Sequence, residues 1–225
     1  MVSQWTPAII EQLNRVRSMR RARESDADLR TWVQAIKQYQ HARFARDYSA
    51  LLANARYAGA ARFFLDELYG PGDFTTRDAE FERVVPWMAR LLSDDVMRTI
   101  ADLIELHALT EELDQQMAVT LRSPELNEQS YRAAWLRVGR RDDRQRQLSL
   151  LLSIGHELDR HTHSRVLAGM LRIMRGPAQA AGLGRLQAFL EAGLSAFAGI
   201  GGAKEFLGVI EANESRTIGD LFEPM

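Results

Sequence analysis

Apolar residues recur at helical spacing along almost all of the 225 residues, and no segment keeps a strand-like alternation bounded by turn residues. That regularity restricts the chain to the all-α class. Trp32, Val33, Ile36, Tyr39, Gln40, Phe44 and Tyr48 drift round one helix face, and Leu148, Leu151, Leu152, Ile154 and Leu158 form another such stripe. Ile100, Leu103, Ile104, Leu106, Leu113 and Met117 belong to a longer one. The expected architecture is a compact multi-helix bundle of about eight to ten helices, without a sheet, in a single domain over residues 1–225. The helix within residues 1–24 is a candidate peripheral element.

Start and stop signals divide the stripes. Pro7 fits the first position of helix one, and Ser25 or Asp26 fits the cap of the next, which continues toward Ala61 as one long helix or as two with a break near Asn54. Gly70-Pro71 is the firmest stop, because glycine accepts a left-handed ending and proline cannot extend the hydrogen-bond ladder. Thr75 followed by Asp78 resembles a capping box, Ser93 precedes Asp94 and Asp95 as a further start, and Ser123-Pro124-Glu125 reads as another. Gly176-Pro177 is expected to close a helix. Beyond it Leu186, Leu190, Gly193, Phe197 and Ile200 step by four and three, a narrow seam that predicts self-association as a homodimer through helix 185–200.

Composition excludes more than it selects. The chain has no cysteine, which removes disulfides, thiolate metal sites and cysteine nucleophiles. No apolar run approaches the roughly 20 residues of a spanning helix, and residues 1–7 lack the plan of a signal peptide, so a cytoplasmic protein without a membrane partner is expected. Net charge is −1, and all cations except Lys37 and Lys204 are arginines. Two arginine clusters stand out: Arg15, Arg17, Arg20, Arg21 and Arg23, and Arg137, Arg140, Arg141, Arg144 and Arg146. Acidic neighbours interrupt both and neither has interleaved aromatics, so nucleic acid is not an expected partner.

Candidate chemistry is sparse. His156, Glu157 and His161 mimic a zinc-protease helix, but the two histidines are five apart and point away from each other, so no metal site is expected. A di-iron bundle requires Glu-x-x-His elements, which the chain lacks. His107 has Glu111 one turn on as a carboxylate partner. Haem or another tetrapyrrole is an alternative cofactor, with His107 or His156 as its ligand; none is predicted outright. Arg77, with Asp66, Glu67, Asp73 and Asp78, offers a carboxylate-rich turn as the alternative enzyme site. The ligand-binding candidates are therefore His107, His156 and Arg77, with no catalytic residue assigned.

The most distinctive string is the aromatic corner comprising Phe63, Phe64, Leu65, Leu68, Tyr69, Gly70, Pro71, Asp73, Phe74, Arg77 and Asp78. With a second string in residues 174–193 it resembles an uncharacterised family of bacterial, mainly proteobacterial, helical proteins with the signature Phe-Phe-Leu-x-x-Leu-Tyr-Gly-Pro-x-Asp-Phe-x-x-Arg-Asp. The resemblance spans about residues 29–214 and implies a shared helical fold without an activity to carry over. The functional expectation is a non-catalytic cytoplasmic protein that binds a protein partner or small ligand.

Overall fold

The computed structural model describes residues 3–68, 70, 72, 74–162 and 165–223. Among them the chain runs through eleven α-helices: α1 (Thr6–Ser25), α2 (Ala27–Asp47), α3 (Ser49–Ala53), α4 (Ala58–Phe63), α5 (Thr75–Leu91), α6 (Asp94–Leu121), α7 (Glu128–Val138), α8 (Arg141–Thr162), α9 (Arg165–Ala180), α10 (Gly184–Ala198) and α11 (Lys204–Phe222). A π-helical turn, Phe64–Leu68, continues α4. The all-α expectation holds.

Helix α6, at 28 residues the longest, packs against α1, α2, α7 and α8. Its apolar stripe splits. Met97, Ile100, Ile104 and Leu106 enter a main core built on Phe64, Phe197 and Phe206, whereas Met117 and Ala118 enter a second with Val33, Ile36, Tyr131 and Trp135. Between those stretches the same helix buries polar groups, Glu111 and Asp114. Helix α1 is fixed by Ile9, Leu13 and Val16, all buried, and it brings its C-terminal arginines alongside α6.

Several boundaries match the local signals. The Asp26 carboxylate accepts the Leu29 N–H at 2.9 Å and caps α2. Helix α3 ends at Asn54, and α6 starts at Asp94 after Ser93. Others differ. Phe74, not Thr75, occupies the N-cap of α5, and Asp78 turns inward to an ion-pair cluster instead of closing a capping box. Helix α7 starts at Glu128 with Asn127 and Ser130 as a reciprocal capping box, while Ser123 only accepts the Glu125 N–H of the preceding turn. Pro177 lies inside α9, which ends where Gly182 takes φ of +68° and the Leu183 N–H reaches the Ala178 carbonyl at 2.8 Å.

The corner of residues 63–78 is joined to α10. Phe63 and Phe64 are buried, with Phe64 against Phe197 at 5.8 Å and Phe206 at 5.6 Å between ring centres, and Phe63 against Phe189 at 5.5 Å. A Cβ on Gly193 would lie 2.9 Å from the tip of Phe63, so this glycine makes room for the ring. The seam expected to bind a second copy therefore faces the chain's own core: Leu186, Phe197 and Ile200 are buried there. Tyr69, Pro71 and Asp73 of the corner lie outside the described residues.

Candidate functional site

Two adjoining features converge on the corner, an ionic ladder along α6 and an apolar cavity beneath α9. His107, Glu111 and Asp114 are spaced by four and three residues, which puts them on one face of α6 toward α1 and α2. His107 Nε2 lies 2.7 Å from Asp78 Oδ2, and Arg20 Nη2 donates to the same oxygen at 2.6 Å. Arg77 adds its Nε at 3.4 Å from the other Asp78 oxygen and donates from Nη1 to the Glu67 carbonyl at 3.2 Å. Its guanidinium is clamped between the rings of Phe74 and Phe189, 4.1 and 4.7 Å from their centres.

One turn further, Glu111 binds two cations. Arg23 Nη2 donates to Oε2 at 2.6 Å, and the Lys37 ammonium donates to Oε1. Asp114 Oδ1 accepts from Gln40 Nε2 at 2.9 Å. The pKa values of these carboxylates move in opposite directions because of their partners. Burial alone would raise each pKa. At Glu111 the charges of Lys37, His107 and Arg23 overcome burial and hold it well below the usual carboxylate range, whereas burial wins at Asp114 and raises it.

Asp78 behaves as Glu111 does: burial opposes ionisation, but His107, Arg20 and Arg77 pull its pKa from 3.8 down to about 2. A depressed carboxylate stabilises the fold above its unfolded pKa and loses that contribution as pH falls through the folded one. The window here is pH 4 to 2, and the contribution is on the order of 2 kcal/mol. Urea unfolding at fixed pH is expected to show stability falling across that window, with a shallower fall in Asp78→Asn. An equally steep fall in that variant would remove Asp78 from the acid response.

The sequence candidates separate in space. Arg77 and His107 share a recess of about 20 Å³ with Glu67, Asp78 and Thr110. His156 is exposed on α8, apart from this recess. The carboxylate partner of His107 is Asp78 from α5, not the expected Glu111, which the two cations occupy. Most of the arginine clusters are likewise committed to carboxylates: Arg15 and Arg140 to Glu112, Arg17 to Glu82, and Arg146 to Glu105. Among the described residues no three His, Asp or Glu side chains are grouped to hold a metal ion.

Phe189 and Leu103 wall both this recess and a much larger cavity of about 600 Å³ among α4, α5, α6, α8, α9 and α10. The lining is almost wholly apolar, with Ile100 buried, Leu103, Leu158, Leu171 and Leu190 half-buried, and Trp87 and Met174 exposed. Its polar members are few. Gln187 Nε2 donates to the Leu171 carbonyl at 2.6 Å, and exposed Arg83 donates to the Gly182 carbonyl at 2.6 Å. His161 Nε2 is buried and makes no hydrogen bond, the nearest carboxylate oxygen being that of Glu157 at 3.8 Å. The 157–161 pairing was legible as an i, i+4 spacing; the cavity was not, because its walls come from six separate helices.

The chain matches a family model described as a domain of unknown function, DUF8198, over residues 19–224. No curated protein and no solved structure matches it. Among the described residues no helix is long and apolar enough to cross a membrane. The chain belongs to the DUF8198 family.

Proposed function

We propose that this DUF8198 member is a binding protein for an apolar small molecule carrying at most one polar group, held beneath α9. The observation that carries the reading is the cavity itself. Its volume of about 600 Å³ lies within the roughly 300–1,000 Å³ of small-molecule sites, which are likewise mostly apolar with a few polar groups that fix orientation. The polar side chains in its wall are few, Arg83, Thr99, His161 and Gln187, which suits a ligand of little polarity.

Binding is favoured over catalysis at the acidic turn by the size of the recess. About 20 Å³ beside Arg77, Asp78 and His107 admits roughly one water and no substrate. A tetrapyrrole held by His107 meets the same limit, and the histidine of the large cavity is His161 rather than either sequence candidate. With the α10 seam buried, self-association is left to other surfaces.

The test is titration with N-phenyl-1-naphthylamine, a neutral apolar fluorophore. Saturable enhancement at one probe per chain is expected, accompanied by a rise in melting temperature because only the folded state binds. Leu190→Trp, which puts an indole into the cavity, is expected to weaken binding at least ~10-fold with an unchanged far-UV spectrum. Non-saturable uptake, or unaltered affinity in a folded Leu190→Trp protein, sinks the reading.

A further inference from the structure

The surface around the cavity mouth points to where the ligand comes from. Seven large apolar side chains are exposed among the described residues, and five of them, Trp87, Leu91, Met170, Ile173 and Met174, lie on α5 and α9. Trp87 and Leu91 are each 64% exposed and Ile173 is 76% exposed. Soluble surfaces seldom concentrate such groups without a use. All but Ile173 also line the cavity, so the patch and the cavity are continuous.

Charge selects the kind of partner. On α5 the residues Arg83, Trp87, Arg90 and Leu91 are spaced i, i+4, i+7 and i+8 and are all exposed, so one outer stripe alternates cation and apolar group. The acids of α5 are elsewhere: Asp78 and Glu80 are buried and Glu82 pairs with Arg17. Helix α9 carries exposed Arg172 and Arg175 and no acidic residue. Glu191 of α10 is held by Arg175 at 2.7 Å. A second copy pressed onto this face about a twofold axis would bring arginines against arginines. An anionic lipid surface meets the same groups favourably: arginines reach headgroup phosphates, Trp87 sits at the headgroup level, and the aliphatic side chains enter the acyl boundary.

We propose that the α5–α9 face docks on anionic phospholipid membranes, so that the cavity opens against the bilayer and exchanges its apolar ligand there. This deepens the reading above and rests on it for the ligand, but not for the docking. Peripheral docking needs no spanning helix. The expectation of no membrane partner rested on the lack of a spanning run and on a net charge of −1, and neither reports a local cationic and apolar face.

Co-sedimentation of the full chain with extruded vesicles tests it. Binding to vesicles containing phosphatidylglycerol is expected to exceed binding to pure phosphatidylcholine by ~10-fold or more and to weaken with added salt. Trp87→Ser with Ile173→Ser, both at exposed positions, is expected to abolish sedimentation with unchanged melting temperature. Arg90→Gln with Arg172→Gln is expected to remove the preference for anionic lipid while keeping the residual association. Equal binding to both vesicle types overturns the proposal, as does no binding to either. So does light scattering that shows a dimer converted to monomer by the Trp87 and Ile173 changes without any vesicle binding. Probe uptake in vesicle-free buffer is read separately, so failure of docking and failure of the cavity reading are distinct results.

Discussion

Glu111→Ala is expected to lower the unfolding free energy by about 3–5 kcal/mol, the largest loss of any single polar substitution in the chain. Glu111 is 2% exposed and is the shared partner of buried Arg23 and mostly enclosed Lys37. Its removal leaves two cations in a low-dielectric space with no counter-charge, and the cost comes from those stranded groups more than from the lost attraction. The triple change Arg23→Met, Lys37→Met, Glu111→Leu is therefore expected to be much milder than the single one. It removes the desolvation cost of all three charges along with their pairing. Urea denaturation of both variants and the parent gives the comparison directly. A single-variant loss below about 1 kcal/mol would mean that water reaches the cluster, and would place these pairs with ordinary surface ion pairs.

The same cluster shows which parts of the molecule local sequence could disclose. Asp26 as a cap depends on residues within one turn of each other, and the folded chain uses it as the local chemistry suggests, while Ser93 takes the N-cap position of α6 without a side-chain cap bond. Asp78 satisfies the same local rule yet is used differently. Its carboxylate suits a cap and an ion pair equally, and His107 and Arg20 arrive from 29 and 58 residues away to claim it. Arg23 and Lys37 stand 88 and 74 residues from Glu111, so the arginine clusters could be seen while their partners could not. Pro177 misled for a related reason. A proline within a helix forfeits one ladder bond, a loss tolerable on an exposed, solvated stretch such as this one. The seam of α10 was legible as a packing surface. What it packs against, Phe63 and the helices of its own core, depends on how α4 and its π turn are placed, which periodicity does not encode.

Gly70→Ala is the second large effect, and its contrast with Gly72→Ala isolates the cause. A Cβ built on Gly70 would lie 2.1 Å from the carbonyl oxygen of Asp66 and 2.8 Å from its carbonyl carbon. Real Cβ atoms do not approach backbone this closely, and the obstacle is main chain, so no side-chain rotation relieves it. The π turn of residues 64–68 must open, and with it move the Glu67 carbonyl that accepts from Arg77 and the aromatic clamp around that guanidinium. A loss of about 3 kcal/mol or more is expected, in the range that single changes reach only through core or backbone disruption. Among the described residues, the Cβ added at Gly72 would meet the Phe74 ring at 3.6 Å, an ordinary contact. Gly72→Ala is therefore expected to stay within about 0.5 kcal/mol of the parent, as surface changes usually do. Gly70→Ser adds the same Cβ, meets the same main-chain obstacle and serves as an independent repeat. Equal stability of the Gly70 and Gly72 variants in thermal and urea unfolding would show that the tight approach at Asp66 is not what ends the helix. A selective loss at Gly70 instead makes this glycine the element that places Arg77 between its two rings.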